Sequence, residues 1–330
     1  MNILVTGACG FIGSHLVEKL VKLNYNVKAF TNYNSQNSYG WIENIDSKIL
    51  KNIEVISGDI RDYEFLNKKT KRVDAIIHLA ALIGIPYSYH ASRSYIDTNV
   101  TGTFNILDCA KNNYVSKIFV TSTSEVYGTA QKVPIDETHS LNAQSPYAAS
   151  KIGADQLALS FNKSFGLPVT ILRPFNTFGP RQSARAIIPT IISQILKSDK
   201  IKLGNLTPKR DFTYVEDTVE AFVKALKANK ISGEVINIGN NFEISIKDTL
   251  EIIKEIYGKE VKLIKDKKRI RPKNSEVNRL LASTKKAQRL LKWKPQHAGK
   301  KGFRKGILKT INWFKKKENL SLYKENIFNY

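Results

Sequence analysis

Three glycines near the N-terminus limit what this chain can fold into more than any other feature. Ile3-Leu4-Val5-Thr6 is a short apolar run of strand type, and it leads directly into Gly7-Ala8-Cys9-Gly10-Phe11-Ile12-Gly13. Beyond the glycines, Leu16, Val17, Leu20, Val21 and Leu23 recur at helical spacing. A strand that turns through glycines into a helix forms a cradle for phosphate. The first glycine permits the tight turn, the second lets the backbone approach a pyrophosphate, and the third lets helix and strand pack closely. The helix N-terminus adds free N–H groups and partial positive charge. The loop of Gly7, Cys9, Gly10, Phe11, Ile12 and Gly13 is therefore read as a dinucleotide-binding turn.

The same strand-then-helix unit repeats along the first half. Strands are expected at Val27 to Phe30, Ile53 to Ile56, Ala75 to Leu79, Ile118 to Val120 and Val169 to Leu172, with helices over Tyr95–Lys111 and Tyr147–Ser164. Continuous apolar strands alternating with amphipathic helices predict a parallel sheet covered on both faces. Right-handed crossovers make it a doubly wound, Rossmann-like α/β fold. After about Gly179 the rhythm changes. A helix is expected at Pro189–Lys197, another near 216–229, and a buried strand at Val235 to Gly239. The expected division is 1–180 plus about 205–240 for the dinucleotide-binding domain. Residues 181–204 plus about 241–330 would form a smaller, interleaved substrate domain.

Composition closes off other classes. The 330 residues allow a sizeable core without metal or disulfide staples. Aromatic residues make up 10% of the chain, which excludes low-complexity disorder. No apolar run reaches membrane-spanning length. The two cysteines, Cys9 and Cys109, form neither a disulfide framework nor a metal set. A cytoplasmic protein that binds no membrane and no metal is expected. The net charge is +23, and residues 261–317 hold 21 Lys or Arg against only Asp266 and Glu276. A solvated lysine face, an anionic substrate and nucleic acid would each suit that excess. Aromatics are sparse there and no nucleic-acid motif appears, so no nucleic-acid partner is expected.

Chemistry is expected at two places. Tyr147 and Lys151 are four residues apart, so a helix puts them on one face. A nearby ammonium would favour phenolate and make Tyr147 a base. Thr121-Ser122-Thr123-Ser124-Glu125 follows the fifth strand, at the strand ends where ligands bind in such sheets. Its hydroxyls can bond a substrate hydroxyl beside Tyr147, and Glu125 can take a proton from carbon. The second strand ends at Phe30-Thr31-Asn32-Tyr33, with neither a ribose-binding carboxylate nor an arginine, which leaves NAD and NADP both open. Asp59 could accept from an adenine amino group or cap a helix.

These motifs resemble a family, the extended short-chain dehydrogenase/reductases acting on nucleotide sugars. The resemblance covers essentially the whole chain. It is carried by the glycine loop, His78-Leu79-Ala80-Ala81, Thr123-Ser124-Glu125-Val126-Tyr127-Gly128, Tyr147-x-x-x-Lys151, Arg173-Pro174-Phe175-Asn176 and Arg210-Asp211-Phe212. Residues 144–194 are most similar to the NAD-dependent 4,6-dehydratases of legionaminic-acid-type pathways. The resemblance implies that Tyr147 takes the proton of the sugar's C4 hydroxyl while hydride passes to the nicotinamide. Glu125 then removes the C5 proton, water leaves from C6, and hydride returns to C6. Thr123 and Ser124 would assist at the C4 oxygen, and Lys151 would hold Tyr147 and the nicotinamide ribose.

It implies further that Thr31, Asn32, Asp59, Ile60, Leu79, Ala80, Ala81, Asn99, Thr121 and Pro174 join the glycine loop around NAD. Ile83, Asn176, Arg185, Ile188, Arg210 and Arg271 would bind a GDP- or UDP-linked hexose, the two last at its diphosphate. Arg210 is expected in a substrate-side loop. A role in cell-surface glycan biosynthesis and a homodimer paired through helices near 97–111 and 147–164 are also implied. Thr-Ser-Glu occurs as well in UDP-glucuronate decarboxylases, and simple 4-epimerases often lack the carboxylate. Those two reactions, and a non-catalytic dinucleotide-sensing protein, remain as alternatives.

Overall fold

The computed structural model describes residues 1–323. Its strands are β1 (Asn2–Thr6), β2 (Asn26–Asn32), β3 (Ile53–Gly58), β4 (Ala75–His78), β5 (Lys117–Thr121), β6 (Val169–Pro174), β7 (Asn176–Phe178), β8 (Lys200–Leu203), β9 (Lys209–Tyr214), β10 (Val235–Ile238), β11 (Glu243–Ser245) and β12 (Lys262–Lys265). Seven of them form one sheet in the order β10-β6-β5-β4-β1-β2-β3. Every pair in it is parallel. Sequential order reverses between β1 and β4, and the crevice at that switch point opens at the strand ends that carry the glycine loop and Leu79.

The doubly wound Rossmann-like sheet is the one the alternation predicts. Its strands are apolar because both faces are covered: Ile3, Leu4, Val5, Ile76, Ile77, Ile118, Val120, Ile171 and Leu172 are completely buried. The helix Phe11–Lys22 packs on one face through Leu16, Val17 and Leu20. The helices Gly102–Asn112 and Pro146–Phe165 cover the other through Ile106, Leu107, Ala158 and Phe161. The segment expected as a helix from Tyr95 starts as a short turn, Ser92–Tyr95. It passes through a wider π-helical stretch, Ile96–Thr101, before the regular helix begins.

The rest of the chain makes two small sheets, β11-β9-β7 and β12-β8. Reading the sequence did not find these strands. β9 buries five of six residues, Arg210 and Asp211 among them, so it shows neither an apolar run nor an alternation. Arg210 therefore stands on a strand, not in a loop. The helix Gly299–Phe314 closes over this region through Phe303, Ile307, Ile311 and Phe314.

Candidate active site

The glycine loop is shaped by its neighbours. Gly7 takes φ +69°, and a Cβ there would stand 2.7 Å from the Ala80 nitrogen. A Cβ on Gly13 would stand 2.2 Å from the Gly7 carbonyl oxygen. No side chain fits at either position, so the turn stays tight and its backbone open. Gly10 begins the helix Phe11–Lys22, which has no acidic residue in its first turn. Bare N–H groups at a helix N-terminus, in a crevice at a switch point, suit a dinucleotide pyrophosphate.

Tyr147 and Lys151 owe their place to their own helix. Ser145 caps it, accepting from the Ala148 N–H at 3.1 Å, and Pro146 needs no N–H in the first turn. Both side chains are buried, Tyr147 at 7% exposure and Lys151 at 3%. The Thr123 side chain lies beside the Tyr147 phenol. The Thr123 hydroxyl accepts from the Glu125 N–H at 3.2 Å and so caps the turn Ser124–Tyr127. Glu125 is 7% exposed and acts on the phenol as a charge. Thr123, Glu125 and Tyr147 thus form one cluster. The Tyr95 ring meets Tyr147 edge-on at 6.2 Å.

One expectation about this cluster is overturned. The ammonium is expected to lower the Tyr147 pKa, but burial pushes the phenol well above its usual range, with the Thr123 hydroxyl opposing. Lys151 donates a hydrogen bond instead to the Thr121 carbonyl at 2.7 Å. Below the cluster Asp155 is completely buried. It accepts from Ser122 Oγ at 2.7 Å and from Arg173 Nε and Nη2 at 3.1 and 2.9 Å.

The opposite wall comes from β9 and the segment after β12. Arg210 is 6% exposed, gives one N–H bond to the Lys209 carbonyl and reaches Glu276 Oε1 at 3.4 Å. Arg271 Nη1 stands 3.7 Å from the same oxygen. That nitrogen is buried and has no hydrogen-bond partner. Ser275 links this segment to the site, giving a bond to the Gln144 carbonyl and meeting the Tyr89 hydroxyl at 2.6 Å.

Known proteins are similar to this chain in sequence and fold. The family model described as GDP-mannose 4,6 dehydratase matches residues 4–306. The chain belongs to that family. A curated relative, a putative UDP-glucose 4-epimerase of Methanocaldococcus jannaschii, is 36% identical over 95% of this chain and 98% of its own. A UDP-glucuronic acid 4-epimerase of Bacillus cereus, solved with UDP-glucuronic acid and NAD, superposes with TM-score 0.85 at 30% identity, covering 98% of this chain and all of that one. A dTDP-glucose 4,6-dehydratase of Streptomyces venezuelae, solved with NAD and TYD bound, gives TM-score 0.85 at 28% identity, covering 98% and 99%. The relatives are nucleotide-sugar dehydratases and epimerases, and these two structural neighbours bind NAD.

Against this dehydratase and epimerase family the expected site residues divide into two groups. Gly7, Cys9, Gly10, Phe11, Ile12, Gly13, Leu79, Ala80 and Ala81 line the β1 and β4 ends at the switch point. Thr121, Ser124 and Pro174 lie at or next to the β5 and β6 ends. Asn176 Oδ1 and Thr121 Oγ1 are buried without partners, as suits atoms kept for a ligand. Arg185 is exposed but leans over Gly84, where a Cβ would stand 3.0 Å from its Nη1. Ile83 is 57% exposed on the same loop.

Five of the expected site residues are engaged within the protein itself. Ile188 is 1% exposed in the core, held there by the helix Ile187–Lys197. Asn99 is completely buried and spends its amide on Leu82 N, Leu82 O and Ser150, so it braces the loop after β4. Thr31 is 1% exposed and gives its hydroxyl to the Ile56 carbonyl, leaving only Asn32 exposed at the end of β2. Asp59 caps no helix, since Asp62 caps Tyr63–Lys69, and it holds Arg61 at 2.6 Å. Ile60 is buried against Gly102.

Two acids escaped the sequence reading. Glu276 had a signal, as one of only two acids in the basic segment. Asp155 had another, since it continues the four-residue spacing of Tyr147 and Lys151. No helix among the described residues is long and apolar enough to cross a membrane. No group of three or more His, Cys, Asp or Glu among them is placed to hold a metal.

Proposed function

We propose that this chain is a nucleotide-sugar 4,6-dehydratase that works with NAD and forms a 4-keto-6-deoxy sugar. The observation that supports this most is the buried Glu125 carboxylate beside Tyr147. A 4-epimerase needs one base at the C4 hydroxyl, whereas a dehydratase needs a second at C5. Glu125 offers a carboxylate for that second role, on the turn that Thr123 caps.

The residues share the work. Burial raises the Tyr147 pKa, and the Lys151 ammonium and the positive charge of the nicotinamide when bound offset it. Tyr147 thus ionises and takes the proton of the C4 hydroxyl, and Thr123 bonds that oxygen. When bound, the nicotinamide supplies a reversible acceptor for the C4 hydrogen. The C4 ketone acidifies C5, and Glu125 removes the C5 proton as water leaves from C6. Arg210 and Arg271 hold the diphosphate, since a guanidinium fork matches paired phosphate oxygens. Asn176 and Arg185 contact the sugar side.

The test is incubation with dTDP-glucose, UDP-N-acetylglucosamine and GDP-mannose, followed by mass spectrometry. One of them should lose the mass of one water. An isomer of unchanged mass would make the chain an epimerase, and carbon dioxide from a UDP-uronic acid would make it a decarboxylase. In Glu125→Gln the oxidation at C4 should proceed and elimination should stall, so reduced cofactor accumulates and is read by its absorbance. Product release at the normal rate would remove Glu125 from the C5 step.

A further inference from the structure

Lys151 is completely enclosed, and its environment is not the one a buried lysine tolerates alone. An ammonium buried without a counter-charge loses its proton at a pH of about 5–6. In this fold burial does pull Lys151 down, and one charge opposes it, that of Asp155. The two groups are one helical turn apart on the same face of Pro146–Phe165. They also dock on consecutive residues: Lys151 Nζ on the Thr121 carbonyl, Asp155 Oδ2 on the Ser122 hydroxyl, both at 2.7 Å.

Asp155 is itself tied from behind. Arg173 on β6 holds it with two N–H groups and gives a third N–H bond to Tyr127, whose hydroxyl bonds Asn237 at 2.8 Å. All these bonds fall on one carboxylate oxygen. Asp155 Oδ1 is buried and has no partner. A buried carboxylate oxygen left unbonded needs a reason. Burial itself pushes the Asp155 carboxyl up, and the Arg173 charge, the Ser122 bond and the Lys151 charge all act to keep it ionised.

We propose that Asp155 is the positioning residue that keeps Lys151 protonated in its dry pocket, with Arg173 and Ser122 fixing the carboxylate for that task. Asp155 touches no reacting atom. It acts through Lys151, and its importance for turnover rests on the dehydratase reading above. The other charged or titratable groups around the pair are few. His78 feels the Lys151 charge, and Tyr147 feels the charges of Glu125, Tyr95 and Asp155. His78 is held neutral by burial and supplies no counter-charge.

The experiment reads the lysine directly. Protein carrying 13C-labelled lysine is titrated by NMR, with the Lys151 signal identified by its loss in Lys151→Arg. In the natural protein the Lys151 signal should be that of an ammonium at neutral pH, although a buried lysine without a counter-charge can titrate at about 5–6. In Asp155→Asn its midpoint should fall by one unit or more, a tenfold change in proton affinity. The alkaline limb of kcat should move down by the same amount, with KM little changed, and Asp155→Glu should restore both. A Lys151 midpoint that Asp155→Asn leaves in place overturns the proposal, even where kcat and Tm fall. Should Asp155→Asn not fold, the natural protein still decides: a Lys151 signal that is already the neutral amine at neutral pH shows that Asp155 does not hold the proton. The titration needs no substrate, so its outcome stays separate from that of the dehydratase test.

Discussion

The two walls of the site are built differently. The floor, formed by the β5 end and the helix Pro146–Phe165, draws its polar groups from neighbouring elements of one sheet and ties them at 2.7–3.1 Å. The opposite wall brings Arg210 from β9 and Arg271 from the segment after β12, and both rest on Glu276 at 3.4 and 3.7 Å. The floor holds its charges where burial makes each one count. The arginine wall holds two cations by one shared acid, and a ligand phosphate can compete with that acid for their N–H groups. Proton chemistry needs fixed distances, whereas capture of a charged ligand tolerates slack.

The largest effect that would break this contrast lies on the floor. Tyr147→Phe should lower kcat by about 10²–10⁴-fold, the usual cost of losing a general base, and leave dinucleotide affinity within a small factor. Activity within tenfold of the natural protein, measured under saturating substrate, would refute the base assignment. On the arginine wall the effect should be smaller and lie in KM. Arg271→Ala should raise KM tenfold or more, about 1.4 kcal/mol, while Lys316→Ala on the exposed basic surface should leave it unchanged. Equal small effects would reduce the wall to a diffuse positive field.

The smallest effect concerns stability against acid. His78 lies on β4 between the Thr6 hydroxyl at 2.7 Å and the Thr103 hydroxyl at 3.1 Å. Burial, aided by the Lys151 charge, holds its pKa down at about 3. The unfolded imidazole takes a proton near 6.5. Between those values the unfolded chain binds more protons, so stability is lost as pH falls from about 6.5 toward about 3. His15, lowered to about 4 mainly by burial, acts in the same sense. Asp211 acts oppositely: burial raises it to about 7, so its contribution falls as pH rises from about 3.9 to about 7. Urea unfolding at several pH values should show His78→Gln less stable at pH 7 but flatter toward acid, by up to about 1.4 kcal/mol per pH unit. An unchanged slope would mean the imidazole is already charged in the fold.

The floor was legible in the sequence because its information is local. Gly7 to Gly13, Thr123 to Glu125 and Tyr147 to Lys151 are each one short motif on one element, and spacing alone says which face they share. The wall was legible only as residue types. That Arg210 and Arg271 meet on Glu276 depends on β9 and the segment after β12 folding together across 61 residues of chain, and no local period records that. The burial of Ile188 and Asn99 was not legible for a related reason. A motif window names the residues near a site, but the direction of each side chain is set by packing from outside the window.

The last strand of the large sheet carries a further consequence. β10 pairs with β6, yet 60 residues of chain separate them, and in between lie the helix Ile187–Lys197, β8 and β9. A growing polypeptide must pass Ile238 before β6 gains its outer neighbour. The dinucleotide half is therefore not a cassette. Cutting the gene near codon 180 would leave β6 as an open apolar edge, a template for pairing with other chains. Recombination between relatives has to carry β6 and β10 across together.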